Sequence, residues 1–169
     1  MTARHNIPPV WDGRSRVLIL GSFPSVKSRE GQFFYHHPQN RFWRVLAAVL
    51  GCEVPGTIPE KKAMLLAHGV ALWDVIASCE ITGSSDSSIR NAVPNDVGPI
   101  AAQVQAIFCN GQTAFRLYGR FLEPALGRPA IPLPSTSPAN AAWSEARLID
   151  AWRAALGPAL DLSYPSERS

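Results

Sequence analysis

Arg16-Val-Leu-Ile-Leu-Gly21-Ser-Phe-Pro24 decides the fold: four consecutive apolar residues run straight into glycine, serine, phenylalanine and proline. An apolar run without alternation describes a strand buried on both faces, and the Gly and Pro end it. Working outward, Val70 to Ile76, Ala106 to Asn110 and Ala130 to Leu133 have the same character. Between them lie helical patterns. Apolar residues recur at helical spacing from Asn40 to Leu50, and Pro59 to His68 reads as a helix stopped by Gly69. A third helix follows Gly111 to about Phe121, and a last one runs from Ala141 to Leu156. The stretch from Ser78 to Pro99 is polar and turn-rich and reads as a long loop with at most a short helical piece. Strands alternating with helices predict an α/β fold, a single-domain three-layer α/β/α sandwich around a mainly parallel central sheet. Its core spans about residues 15–157, with loosely held ends.

Bulk properties narrow the classes. A chain of 169 residues, 46% hydrophobic and 17% charged, suits one globular domain rather than a disordered segment. No apolar run approaches the ~18 residues that span a bilayer, and the N-terminal residues carry no apolar signal core, so a cytoplasmic location is expected. Cys52, Cys79 and Cys109 form no C-x-x-C pair, so neither a structural zinc nor an iron–sulfur cluster is expected, nor any other cofactor. The net charge of +3 rests on thirteen arginines and only three lysines. Arginine suits phosphate, and a GC-rich genome produces the same bias.

In sheets of this kind ligands bind at the carboxyl ends of the strands, which directs attention to four loops, after Gly21, Val75, Asn110 and Leu133. The first reads GSFPSVKSREGQFFYHHPQNRFW, Gly21 to Trp43. Its aromatics Phe33, Phe34 and Tyr35 are available to stack a flat ligand such as a nucleobase. Asn40, at a helix start, reads either as a cap or as a site residue. The last loop, LPSTSPANAAW from Leu133 to Trp143, sets Ser135, Thr136 and Ser137 before a helix, an arrangement that holds a phosphate oxygen or simply caps.

Taken together, the strand ending GSFPS, the aromatic pair, HPQNRFW and the late LPSTSPA loop resemble the deoxyinosine (hypoxanthine)-DNA glycosylases. These form a branch of the uracil-DNA glycosylase superfamily, close to the mismatch-specific uracil/thymine branch. LWDVIASCEITGSSDSSI and FCNGQTAF fall in the family's order too, so the resemblance runs from about Val17 to Trp143. One departure matters. Two positions after its Gly the superfamily's first motif carries an acidic residue or Asn, and here stands Phe23.

The resemblance implies a monofunctional glycosylase that flips a deaminated base, hypoxanthine first, out of DNA and hydrolyses its N-glycosidic bond. Asn40 takes the place of the missing residue and holds the water by its side-chain carbonyl, acting by orientation because an amide accepts no full proton. Gly21, Ser22, Phe23 and Pro24 shape the base pocket, and Tyr35 stacks on the base. Asp74 stands where the uracil enzymes carry the Asn that reads the base edge; a turn cap or an arginine partner is its other reading. Ser135, Thr136 and Ser137 grip phosphates, Pro138, Ala139 and Asn140 wedge the vacated stack, and Arg41 adds a DNA contact. Asn110 and Gly111 read as a turn rather than as substrate contacts, and neither His36 nor His37 is given a catalytic role. Lys27 is the only lysine in the motif loops, so no Schiff-base nucleophile is expected and an intact abasic site is left, a substrate for a downstream AP endonuclease. The protein is expected to act as a monomer without metal. Uracil or xanthine is the alternative substrate. A damaged-DNA-binding protein without catalysis is the more distant reading. Free-glycoside hydrolysis wants paired carboxylates, and the motif loops supply only Asp74 and Asp86.

Overall fold

The computed structural model describes residues 2–82 and 88–162. Its strands are β1 (Thr2–Arg4), β2 (Val17–Gly21), β3 (Val70–Asp74), β4 (Ile76–Glu80), β5 (Arg90–Pro94), β6 (Ala106–Asn110) and β7 (Ile131–Leu133). Its helices are α1 (Val26–Gly31), α2 (Phe42–Leu50), α3 (Ile58–Ala67), α4 (Gly98–Ala101), α5 (Gln112–Phe121), α6 (Glu123–Leu126) and α7 (Glu145–Leu160).

The uninterrupted apolar strand β2 sits in the middle, every residue buried. It is flanked by β3 and β6, with β7 beyond β6, in the order β3-β2-β6-β7 and parallel throughout. Alternate side chains of β2 serve opposite faces. Val17 and Ile19 join a core with Phe42, Leu46, Leu65 and Trp152 from α2, α3 and α7. Leu18 and Leu20 join Ile100, Ala114 and Tyr118 from α4 and α5. Burial on both faces is what a strand with no polar alternation requires. The expected α/β sandwich with a mainly parallel sheet is therefore the observed one.

The departures have local causes. The strand read from Val70 to Ile76 ends at Asp74, and β4 runs from Ile76 into the stretch read as a loop from Ser78 to Pro99, which also holds β5; with β1 they form an antiparallel sheet of order β1-β4-β5. β5 is mostly exposed and its residues are polar or small, so no apolar run announced it. The N-terminus, expected to be loosely held, pairs Thr2, Ala3 and Arg4 with Glu80, Cys79 and Ser78. Residues 163–169 of the other end lie outside the described residues. In the first long loop, Ser25 caps the unforeseen α1 by accepting from the Ser28 amide. Thr57 and Glu60 close a capping box that starts α3 one residue ahead of Pro59. Ser144, accepting from Arg147 N, starts α7 later than expected, and the helix runs on to Leu160. Of the three thiols expected to be buried, Cys79 and Cys109 are buried and Cys52 is half-buried. Burial, with Glu123 adding to it, pushes the Cys109 thiol up to about 12, so it packs as a small apolar group.

Gly111 joins β6 to α5 at φ 96 and ψ 163, a region that essentially only glycine occupies. A Cβ there would also lie 3.2 Å from the Ser135 Cβ. Gly111→Ala is expected to cost about 1–3 kcal/mol. The check is a thermal melt, in which a chain of this size loses roughly 2–4 °C per kcal/mol.

Candidate active site

Parallel pairing brings the carboxyl ends of β2, β3, β6 and β7 to one edge, and a cavity of about 230 Å³ opens there. Its walls come from the loops after these strands. Gly21 to Ser25 form one side, Tyr35, His37 and Asn40 a second, and Asn110 with Ser135 to Pro138 a third. Asp74 is the only carboxylate among the described lining residues.

The floor follows from register. Gly21 pairs with Asp74, and a Cβ on Gly21 would lie 2.3 Å from Asp74 Oδ1 and 2.9 Å from the Tyr35 hydroxyl. Only glycine leaves room for both groups. The corner after Asp74 is tied in place from outside. Val75 N and Ile76 N donate to the carbonyls of Gly21 and Ser22, while the buried Asn95 donates its Nδ2 to the carbonyls of Asp74 and Ile76. Asp74 itself is 4% exposed. Its Oδ2 accepts from His5 Nε2 at 2.8 Å. It neither caps a turn nor pairs with an arginine among the described residues.

Tyr35 adopts φ 50, unusual for a residue other than glycine. Its ring stacks on Phe42, centroids 4.1 Å apart and planes 15° from parallel. One face is thereby spent on the core.

Asn40 is held by a chain of side chains from three loops. Its Oδ1 accepts from Phe42 N at 3.0 Å and from the Thr136 hydroxyl at 2.9 Å. Thr136 Oγ1 in turn accepts from Asn110 Nδ2 at 3.0 Å, and Asn110 Oδ1 accepts from Thr136 N at 3.1 Å. A backbone N–H only donates, so the Asn40 atom facing Phe42 is oxygen. Both lone pairs of that oxygen are occupied. This corrects the expectation that Asn40 holds water by its carbonyl: the group left over is Nδ2, which has no protein partner among the described residues. Asn40 thus precedes the N-cap residue Arg41, binds the first amide of α2 and lines the cavity.

Two further expectations change. Thr136 is fully buried and its hydroxyl is committed to Asn40, so it does not grip a phosphate. Arg41 does not project toward DNA. Its guanidinium donates to the carbonyls of Ser137, Asn140 and Trp143, and its amide donates to the Thr136 carbonyl. It clamps the loop after β7. Ser135 and Ser137 line the cavity while their hydroxyls accept from Ser137 N and Ala139 N. Pro138 and Ala139 are the exposed tip of the loop. Ala139 and Asn140 face a neighbouring groove with Gln112 and Trp143 rather than the cavity. Asn110, read as a turn residue, belongs to the site. His5 was not anticipated, because a lone histidine in an N-terminal segment carries no local pattern. Asp86 lies outside the described residues.

Residues 8–156 match the family model described as the uracil DNA glycosylase superfamily. The chain belongs to that superfamily. A Methanosarcina acetivorans protein named hypoxanthine DNA glycosylase is 35% identical over 151 residues, covering 85% of this chain and 92% of that protein. A Methanosarcina barkeri protein of the same name is 28% identical over 113 residues, 64% of this chain and 72% of that one. A solution NMR structure of a candidate uracil DNA glycosylase from Methanosarcina acetivorans matches with a TM-score of 0.75 at 30% identity, covering 91% of this chain and 98% of that chain. In this superfamily member, the matched span contains every cavity residue named above, and His5 lies outside it.

Thr136→Val removes a hydroxyl that joins two amides, and leaves a buried donor without its acceptor. It is expected to lower stability by about 1–3 kcal/mol, seen as a lower urea midpoint at unchanged slope. Thr136→Ser keeps the hydroxyl and is expected to recover most of the loss.

Proposed function

We propose that this chain is a monofunctional DNA glycosylase that removes hypoxanthine from DNA by hydrolysing the bond between C1′ and the base nitrogen. The observation that supports this most is the pairing, in one cavity, of Asp74 as a buried acceptor with the Asn40 amide as a fixed donor. The superfamily membership and the names of the relatives agree with it.

A base inside a duplex is out of reach, so the nucleotide is turned out into the cavity. Hypoxanthine carries a hydrogen at N1, and an ionised carboxylate only accepts. Asp74 Oδ1, beside Gly21, meets that N–H. The Gly21–Pro24 wall encloses the base, and the free side of Tyr35 supplies a flat apolar surface. The residues Ser135 to Pro138 run beside the flanking phosphates, and the Pro138–Ala139 tip occupies the vacated stack. As the C1′–N bond lengthens, positive charge grows on the sugar and negative charge on the base. Asn40 Nδ2 donates to the oxygen of a water, leaving that water a lone pair for C1′. The base leaves with the bonding pair, the attacking water loses its proton to solvent after attack, and the released base takes up a proton from solvent. The amide works by orientation and fixed dipole, not as a base.

No lysine lines the cavity among the described residues. The product is an unbroken strand with an abasic site, which an AP endonuclease then processes. The protein works on DNA as a monomer in the cytoplasm; no helix among the described residues is long and apolar enough to cross a membrane. Uracil also offers a donor, at N3, and the superfamily match makes it the second substrate to test.

The test is base release from matched duplexes containing deoxyinosine or deoxyuridine, developed with hot alkali. Wild type is expected to release hypoxanthine. Asn40→Ala is expected to slow release by about 10²–10³-fold, the usual loss for one positioned donor. Release of uracil alone overturns the substrate, and tight lesion binding without any release overturns the activity. Gly21→Ala, whose methyl would press on Asp74 Oδ1, is expected to abolish release while duplex affinity outside the lesion stays unchanged.

A further inference from the structure

His5 reaches Asp74 from 69 residues away in sequence, carried by the N-terminal segment that β1 anchors to β4. The two side chains are only 4% and 6% exposed. The imidazole is walled by Phe23, Phe34 and Trp73, with ring centroids 6.1, 6.1 and 6.2 Å away. Trp73 Nε1 also donates to the Ile7 carbonyl, and Val10 bridges Leu72, so the segment is tied to β3 after the histidine and to β4 before it.

Its hydrogen bonds fix its chemical form. Ile7 N donates to His5 Nδ1 at 3.1 Å. A backbone amide only donates, so Nδ1 must offer a lone pair and the ring proton sits on Nε2. Nε2–H therefore donates to Asp74 Oδ2. Oδ2 is thereby spent as an acceptor, in a hydrogen bond that is stronger to a carboxylate than to a neutral oxygen. The same bond turns the other oxygen, Oδ1, toward the bare Cα of Gly21 in the cavity floor.

We infer that His5 is a specificity-positioning residue: it holds Asp74 as a pure acceptor, so that the pocket takes hypoxanthine and uracil and refuses adenine and cytosine. The inference rests on the proposed role of Asp74 in reading the base. A protonated aspartic acid would donate to the N1 lone pair of adenine. An ionised one faces that lone pair with another, and a buried mismatch of this kind is heavily penalised. Hypoxanthine and uracil, with a hydrogen at the corresponding nitrogen, are accepted. The determinant lies in a segment outside the span that defines the superfamily match, residues 8–156. Selectivity in this chain is therefore partly carried by its N-terminal strand.

The experiment is single-turnover release from duplexes carrying deoxyinosine or deoxynebularine, whose purine has a lone pair at N1 instead of N–H. Wild type, His5→Leu, His5→Gln and Asp74→Asn are compared. His5→Leu is expected to slow deoxyinosine release at least about tenfold with little effect on deoxynebularine, so the preference narrows. His5→Gln retains an N–H donor and is expected to keep most of the preference. Equal slowing of both substrates by His5→Leu, or equal loss in both His5 variants, overturns the inference. So does a preference unchanged in His5→Leu while Asp74→Asn loses it. An unchanged Asp74→Asn refutes the base-reading role itself. Imidazole ¹⁵N shifts of the wild-type protein give an answer that needs no variant: the Nε2–H tautomer supports the inference, and an Nδ1–H ring contradicts it.

Discussion

A hydrogen atom at Gly21, where any other residue would carry a carbon, is the constraint the cavity is built around. Parallel register sets Asp74 beside it, and the turn at Tyr35 brings a hydroxyl to the same spot. Gly21 has no positive φ, so the requirement is for space, not for backbone freedom. The groups that occupy that space are each braced from behind. Asn95 and His5 hold the Asp74 corner, and Phe42 backs the Tyr35 ring. Tyr35 sits in the left-handed region at a cost of order 1–3 kcal/mol, and the aromatic stack on Phe42 returns about 0.5–1.5 kcal/mol of it. Strain at this residue persists because the surrounding core over-determines its position.

The second organising element is the clamp between α2 and the loop after β7. Arg41 spends its guanidinium on three carbonyls of that loop. Thr136 spends its hydroxyl on Asn40. Both residues would be of more direct use facing DNA, yet both are turned inward. The gain is preorganisation. Asn40, Asn110 and the exposed Pro138–Ala139 tip are placed relative to one another before any ligand arrives, which lowers the ordering cost of binding. Trp152 of α7 adds a bond from its Nε1 to the Pro134 carbonyl, so the loop is fixed to the core at its root as well.

Most of the parallel sheet could be read directly, because strands buried on both faces must be apolar throughout. Val17 to Leu20 and Ala106 to Cys109 leave no other interpretation. The antiparallel sheet could not, since β5 is polar, partly exposed and stabilised by partners remote in sequence. The same division runs through the site. Gly21 and Asp74 stand at strand ends and Tyr35 and Asn40 in the loop that follows β2, so all four could be picked out as cavity residues. What each atom does could not be read this way. The occupied carbonyl of Asn40, the burial of Thr136 and the inward turn of Arg41 depend on contacts between loops about a hundred residues apart. His5 carried no signal at all, for its partner is 69 residues away and its neighbours form no motif.

A single carboxylate among the described cavity residues also separates two tasks that are easily merged. Glycosidases with paired carboxylates use one to protonate the leaving group and another to attack or activate water. Asp74 lies at the floor beside Gly21, and in the proposed reading, where it meets the base edge, its negative charge opposes the charge that develops on a departing base. It is poorly placed to accelerate the reaction and well placed to choose the substrate. In the proposed reaction acceleration comes from elsewhere: from the fixed Asn40 amide and from exclusion of bulk water by Phe23, Phe34 and Tyr35. Neutral, preorganised dipoles in a dry site stabilise a charge-separated transition state without needing a proton acceptor of matched pKa. On the proposed reading, a chain with Phe23 two positions after Gly21 retains the chemistry provided that the amide doing the work is held as rigidly as Asn40 is held here.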